Sequence, residues 1–207
     1  MNRERSQRGF SMIELLVVVL IIFAIAGMAM PGFISMARNL RTGGDARDIN
    51  GEIALVKMRA AADFTQARLY ADLATQNFHI ETWNKPIPPA TNGSWATEGA
   101  TQSLSQGVTF GFATISSPPA GTQATIGQGP ACRNDTGASP GTGSSIANTA
   151  CIVFNSRGIP IDSTGTPTPS DAIYVTDGSS VYAVTISATG VIQTWRTDAK
   201  VASWKKR

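Results

Sequence analysis

Hydrophobic and polar positions divide the chain into an apolar first third and a polar, turn-rich remainder. No charged residue occurs from Leu15 to Met36, a run of about 22 residues. A helix rises about 1.5 Å per residue, so this run is long enough to cross a hydrocarbon core of about 30 Å. Glycine, proline, serine and threonine are abundant from about Lys85 onward. The pattern predicts a membrane-spanning helix first, followed by strands and loops.

Beyond Arg38 the pattern predicts an interruption and then a second, amphipathic helix within residues 37–67. The Thr42-Gly43-Gly44 sequence should hinge or kink the helix, because glycine costs about 1 kcal/mol relative to alanine in a helix interior. Asp45 can cap the segment that follows. Apolar residues there recur at steps of three and four, and we expect them to face the strands: Ile49, Ile53, Val56, Ala60, Phe64 and Ala67.

Short runs of β-branched and aromatic residues predict strands after the helix. Arg68–Leu73 and Phe78–Trp83 predict a hairpin. The second strand of this hairpin carries His79, Glu81 and Trp83 on one face. Further strands are predicted at 108–113, 151–155, 172–176, 180–187 and 191–196, with turns at 177–178 and 188–190 that join the last three into a meander. The stretches 115–150 and 157–170 are predicted surface loops.

These elements predict a single α+β domain with an appendage, which fits a length of 207 residues. A long N-terminal hydrophobic α-helix precedes an antiparallel β-sheet globular head at 68–196, and a basic tail at 197–207 ends the sequence.

Positive charge is concentrated at the two ends of the chain, although the formal net charge is only +3. Arg3, Arg5 and Arg8 precede the apolar run. The positive-inside tendency therefore predicts a cytoplasmic N-terminus, with everything after Arg38 across the membrane.

The apolar run has two interpretations. An ordinary secretory signal peptide would be cut after it, near the small residues between Ala24 and Ala29. The other interpretation is a membrane span that stays in the protein and carries a functional acid. Glu14 favours it, because an ionised carboxylate at the edge of a membrane span costs a few kcal/mol unless it is paired, and such acids are usually functional.

The residues RGFSMIELLVVVLIIFAIAGMAMP, from Arg8 to Pro31, resemble the class III signal sequences of type IV pilins and type II secretion pseudopilins. The resemblance implies a leader at 1–9 and a filament-core helix at 10–36. It also implies cleavage between Gly9 and Phe10 by a prepilin peptidase, which then methylates the amine of Phe10. Glu14 would neutralise the N-terminal amine of a neighbouring subunit during assembly, and Pro31 matches a helix-breaking position that would kink or locally melt the helix.

A second resemblance lies near the C-terminal end. The stretches CIVFNSRGIPID and AIYVTDGSSVYAVTISATGVIQTW are similar to the H-type pseudopilin subgroup, to which FimT-like minor pilins belong. The matching positions are Phe154, Gly158 and Gly190. The resemblance implies a single-pass protein of the bacterial inner membrane with a periplasmic head, whose partners are prepilin peptidase, other pilins or pseudopilins and an assembly platform. Incorporation into an extracellular pilus is one outcome.

Cys132 and Cys151 lie in the part of the chain predicted to leave the cytoplasm. A disulfide between them would close a loop of about 20 residues and could stabilise the fold by about 3 kcal/mol. Two free buried thiols are the alternative.

Residues that could support catalysis or metal binding are sparse. His79 is the single histidine, and no second His or Cys lies at metal-ligand spacing. Nucleophile, zinc-protease, phosphate-binding and dinucleotide motifs are absent from the sequence. Asp162, Asp171 and Asp177 lack the ligand spacing of a calcium loop and are interpreted as solvated loop acids. We expect no enzyme activity, cofactor, metal or small-molecule substrate.

The C-terminal segment suggests a possible partner, because it interleaves tryptophan with basic residues. Lysine and arginine neutralise phosphates, and tryptophan stacks on bases, so a DNA-binding site is one hypothesis. FimT-like proteins include DNA-binding members that act in natural transformation. Docking to a membrane surface or a protein, and a solvated tail with Trp195 buried, are the other interpretations. The candidate DNA-binding residues are Arg196, Lys200, Trp204, Lys205, Lys206 and Arg207.

Overall fold

The computed structural model describes residues 11–168 and 171–207. Gly9 and Phe10, the predicted cleavage and methylation positions, lie outside the described residues. The chain forms two compact units, Met1–Arg38 and Asn39–Arg207, and each is described by itself. We call the second unit the head.

Helix α1 spans Met12–Ala62. Within the first unit, Met12–Met30 has a mean hydropathy of 2.8 and none of it is buried, so this segment is long and apolar enough to cross a membrane. The helical backbone continues through Pro31, so the expected local melting there is not found. Proline removes one N–H donor, and the bonds of the flanking turns are sufficient to continue the helix.

The head begins with the last six turns of α1, which contain no break at Gly43. The predicted interruption and second helix are therefore wrong. A Cβ atom at Gly43 would lie 3.1 Å from the Tyr182 hydroxyl oxygen, so glycine allows this strand residue to approach closely. Asp45 does not act as a helix cap, because its carboxylate accepts hydrogen bonds from the Ser105 amide (3.0 Å) and hydroxyl (2.8 Å).

The predicted apolar stripe is correct over most of its length. Ile49, Ile53, Val56 and Ala60 are fully buried. Phe64 is instead 75% exposed, because the helix has already ended at Ala62. The amphipathic segment was therefore predicted five residues too long, and its last residue, Ala67, is the first residue of a strand.

Twelve strands follow the helix in the described part of the chain: β1 (Ala67–Asp72), β2 (Asn77–Asn84), β3 (Ser94–Ser103), β4 (Thr109–Phe110), β5 (Arg133–Asn134), β6 (Ser144–Ser145), β7 (Thr149–Phe154), β8 (Pro160–Ile161), β9 (Asp171–Thr176), β10 (Ser180–Ile186), β11 (Ile192–Asp198) and β12 (Val201–Lys206).

All strand pairs are antiparallel. The first sheet has the order β3-β2-β1-β7-β8, the second has the order β12-β11-β10-β9-β4, and β5 and β6 form a separate ribbon. The α+β class with an antiparallel head is thus confirmed, although the strands divide between two sheets. The buried helix residues join both sheets in one core, which includes Leu69, Phe154 and Val184.

The hairpin and the C-terminal meander agree with the predictions to within one or two residues. Of the strand predicted at 108–113, only the two residues of β4 are in a strand. Strand β3 was not predicted, because its sequence, SWATEGATQS, has few β-branched or large apolar residues. The basic tail predicted at 197–207 is also wrong. Its first two residues belong to β11, and Val201–Lys206 forms the outermost strand of the second sheet.

Candidate functional site

The exposed apolar helix is the first candidate site. Glu14 lies in the first turn of α1 and is exposed, as are the apolar side chains that follow it up to Met30. A carboxylate in the first turn interacts favourably with the positive end of the helix dipole. An uncovered apolar surface of this length needs lipid or other protein segments around it.

The disulfide is the second feature. The sulfur atoms of Cys132 and Cys151 are bonded, which confirms the predicted pair. The bond joins the long segment between β4 and β7 to β7, an inner strand of the first sheet. The Cys132 amide also donates to the Thr149 hydroxyl at 3.0 Å. The segment predicted as a surface loop is therefore attached to the sheet at this point.

A buried ionic network, which the sequence did not indicate, also attaches the segment between β4 and β7 to the first sheet. The Arg68 side chain is 4% exposed and pairs with Glu81. Its guanidinium also donates to the Arg133 carbonyl at 2.8 Å and lies 4.0 Å from the Trp95 ring centroid. Burial lowers the pKa of the Arg68 guanidinium, and the Glu81 carboxylate opposes that shift. Strand alternation in the sequence placed Glu81 on the same face as His79 and Trp83. Nothing in the local sequence indicated that Arg68 would be buried.

Asp135 completes this network from the loop side. Its carboxylate accepts hydrogen bonds from the Trp95 indole (3.0 Å) and the Gly143 amide (2.7 Å). Burial raises the pKa of Asp135, but these hydrogen bonds outweigh burial and hold the pKa below its usual value. Trp95, Arg68 and Asp135 therefore connect the loop to β1 and β3 through satisfied polar contacts.

His79 has local structural contacts. Its ring stacks on Tyr70 with centroids 4.8 Å apart, and its Nε2 lies 3.4 Å from a Glu81 oxygen. Trp83 is buried and packs edge-on against Trp95. Among the residues that the structure describes, no group of three or more His, Cys, Asp or Glu side chains could hold a metal ion.

The three loop acids behave differently from one another. Asp162 is exposed and its carboxylate organises a turn, accepting bonds from the amides of Thr164 and Thr166. Asp177 does the same for Ser179 and Ser180. Asp171 was expected to be solvated and is instead buried. Burial raises the pKa of Asp171 to about 6, so this prediction is wrong for the first residue of β9.

The glycines of the second resemblance have a structural explanation. Gly158 and Gly190 both have positive φ, and a Cβ at Gly190 would lie 2.6 Å from the Gly158 carbonyl oxygen. Lys57 from α1 packs on both turns, with its Nζ donating to the Gly190 carbonyl at 2.9 Å. Phe154 is fully buried. The three positions therefore serve the packing of the helix against the turns.

The candidate DNA-binding residues do not form a flexible tail. Trp204 donates its indole N–H to the Ser117 carbonyl at 2.9 Å and packs against Tyr174. Trp195 is partly buried and donates to the Thr185 hydroxyl at 3.0 Å. Arg196 donates to the Asn39 side chain at 3.2 Å. The remaining cations of the set are exposed on the hairpin of β11 and β12: Lys200, Lys205, Lys206 and Arg207.

Comparison with known proteins agrees with the N-terminal interpretation. Residues 5–30 match the family model described as the prokaryotic N-terminal methylation motif. The chain thus combines that motif with one exposed apolar helix and an antiparallel β head. Among solved structures, the chain is similar to the minor pseudopilin EpsH from the Type 2 Secretion System of Vibrio cholerae, with a TM-score of 0.41 and 10% sequence identity over 74% of this chain and 94% of that chain. No curated protein sequence matches the chain.

Proposed function

We propose that this chain is a minor pilin or pseudopilin, a structural subunit that joins a type IV pilus or a type II secretion pseudopilus and helps to prime its assembly. The match of residues 5–30 to the N-terminal methylation motif carries the proposal. The exposed apolar helix supports it, because Met12–Met30 is long enough to anchor the chain in a membrane before assembly.

Processing would begin at the N-terminus. A prepilin peptidase removes residues 1–9 by cutting between Gly9 and Phe10, and the new amine of Phe10 is methylated. The arginines before Gly9 keep that end in the cytoplasm, and the head lies in the periplasm. The bond between Cys132 and Cys151 supports this location, because disulfides persist in oxidising compartments.

Assembly would then use the first turns of α1. The Glu14 carboxylate pairs with the N-terminal amine of a neighbouring subunit, which supplies the partner that an ionised acid needs in an apolar environment. Pro31 remains a predicted assembly position. The subunit would belong to the H-type subgroup with the FimT-like minor pilins, a placement supported by the pattern of Phe154, Gly158 and Gly190.

N-terminal mass spectrometry of the protein from its native membrane fraction tests this proposal. A mature chain that begins with methylated Phe10 is expected. Gly9→Ala should leave an uncut precursor, whereas the control Gly27→Ala, at a position with open space around it, should be cut normally. A mature chain that begins beyond Ala24 would contradict the proposal and indicate an ordinary secretory signal peptide.

The alternative function is a membrane-anchored minor pilin that captures DNA for uptake. The exposed cations on the hairpin of β11 and β12 favour it, since such charges neutralise phosphates. The tryptophans do not, because Trp195 and Trp204 are hydrogen-bonded within the head. Salt-dependent binding of the full chain to duplex and single-stranded DNA would support this function.

Removal of residues 196–207 is a poor test of DNA binding. It would delete the end of β11 and all of β12, and so expose the core around Trp195 and Tyr174. Substitution of Lys206 by glutamine preserves the strand and changes only an exposed charge. Weaker DNA binding with a shallower salt dependence in that variant, with the filament still assembled, would separate the two functions.

A further inference from the structure

The second sheet ends in an open and strongly basic edge. β12 is the outermost strand of this sheet and pairs with β11 on one side. The Arg207 amide donates to the Thr194 carbonyl at 2.9 Å, so residue 207 faces β11. Since backbone groups alternate in direction along an antiparallel strand, those of Trp204 and Lys206 point to the open edge.

The side chains of this edge place like charges against each other. Arg196 and Lys205 lie directly opposite one another in the register of β11 and β12. Arg207 follows two residues after Lys205 and shares its face of the strand. Like charges directly across a strand pair are destabilising. Within the described residues no carboxylate forms an ion pair with any of the three.

We propose that the β12 edge binds an extended acidic segment of a partner protein, which adds to the second sheet as an antiparallel or parallel neighbour. The backbone groups of Trp204 and Lys206 would supply the hydrogen bonds. Carboxylates on one face of the added strand would lie beside Lys205 and Arg207 and offset the repulsion that these two cations meet from Arg196 on β11. Charge complementarity therefore selects the partner.

Two other occupants fit this edge less well than an acidic strand. A second copy of β12 would bring lysine and arginine against lysine and arginine, which is how edge strands commonly avoid self-association. Nucleic acid fits less well, because Lys205 and Lys206 are adjacent on a strand and point to opposite faces. Trp204, the aromatic residue on this strand, packs against Tyr174 and donates its indole N–H to the Ser117 carbonyl, so its ring is held within the head.

This inference does not depend on the filament function. It concerns the head alone. If the chain is not cut between Gly9 and Phe10, the β12 edge can still bind an acidic strand. The reverse also holds, since a correctly cut filament subunit could have an inert β12 edge.

Binding of synthetic peptides to the full chain in detergent micelles tests the proposal. The probe is a blocked seven-residue peptide of alternating threonine and glutamate. One control is the same peptide with every backbone nitrogen methylated, which removes the N–H donors that strand addition needs, and a second control has lysine in place of glutamate. A single-stranded DNA oligonucleotide is the fourth ligand. Hydrogen exchange of the amides in β12 is followed with and without the probe.

The acidic L-peptide should bind and slow the exchange of β12 amides, and its affinity should fall at least about tenfold with Lys205→Glu. The matched control Arg47→Glu makes the same charge change on the exposed side of α1 and should leave binding unchanged. Lys205→Glu places opposite charges across β11 and β12, so the variant should fold at least as stably as the parent chain.

Three outcomes would overturn the proposal. Equal binding of both acidic peptides would show that the edge is only a polyanion site and that strand addition does not occur. Tighter binding of DNA than of the acidic peptide would favour nucleic acid as the occupant. Absence of binding by every ligand would show that the lysines merely protect an unused edge.

Discussion

Lys57 of α1 donates a hydrogen bond of 2.9 Å from its Nζ to the carbonyl oxygen of Gly190, in the turn between β10 and β11. The two residues are separated by most of the head sequence. A carbonyl in a tight turn would otherwise face solvent, so this bond uses the end of a long side chain to connect the helix with the turn.

Gly190→Ala should destabilise the head because of this packing. The residue has a φ of +74°, and an added Cβ would lie 2.6 Å from the Gly158 carbonyl oxygen. The expected loss is at least about 2 kcal/mol in the free energy of unfolding, measured by urea denaturation in detergent. Gly178→Ala is the matched control, since its φ is +82° but the space around it is open. The control should lose only about 1 kcal/mol, and equal losses would show that packing between the turns is unimportant.

Arg68→Met should be strongly destabilising, because it leaves the largely buried Glu81 carboxylate, 12% exposed, without the guanidinium that pairs with it. The expected loss is about 3 to 5 kcal/mol. The double variant Arg68→Met, Glu81→Leu removes both charges and should recover much of that loss. Thermal unfolding followed by near-UV circular dichroism measures both. If the double variant is no more stable than the single one, the loss comes from the contacts of Arg68 with Arg133 and Trp95.

Asp171 should make the head less stable as the pH rises from about 4 to about 6. Burial raises the pKa of the Asp171 carboxyl from its ordinary value of 3.8 to about 6, so the folded state binds a proton more tightly than the unfolded state in this window. The penalty above pH 6 is on the order of 3 kcal/mol. Asp171→Asn should remove it, so the variant should be more stable than the parent near pH 7.5 and similar to it near pH 4. Parallel stability profiles for the two proteins would contradict the assignment.

Glu14→Ala should reduce incorporation into filaments while leaving membrane insertion intact. The substitution removes the carboxylate proposed to meet a neighbouring N-terminal amine and makes the span more apolar. Sheared filaments and membrane fractions, compared by immunoblotting, measure the two effects separately. Glu52→Ala is a control on the head part of α1, where the acid contacts Gln102. Unchanged incorporation of Glu14→Ala would remove this residue from the assembly mechanism.

The apolar run, the hairpin and the meander were predictable because each depends on residues that are close together in the sequence. A charge-free segment of about 22 residues indicates a membrane span by length alone, and alternation with turn residues places β1, β2, β9, β10 and β11. The cysteine pair was predictable as a bond because the number of partners was limited to one. The proposed processing site at Gly9 and Phe10 lies within the segment that matches the N-terminal methylation motif, so this proposal also rests on local sequence.

Tertiary structure decided the features that depend on distant partners. The helix continues through Gly43, where the Tyr182 hydroxyl from a distant strand lies so close that an added Cβ would be 3.1 Å from it. Asp171 is buried by the sheet around it, and Arg68 by a loop about 65 residues away in sequence. The basic C-terminal residues form an edge strand because their backbone pairs with β11 and the Trp204 ring packs against Tyr174. Local propensity contains no information about distant partners or about burial. Both determine whether a charged side chain is solvated, paired or exposed at an open sheet edge.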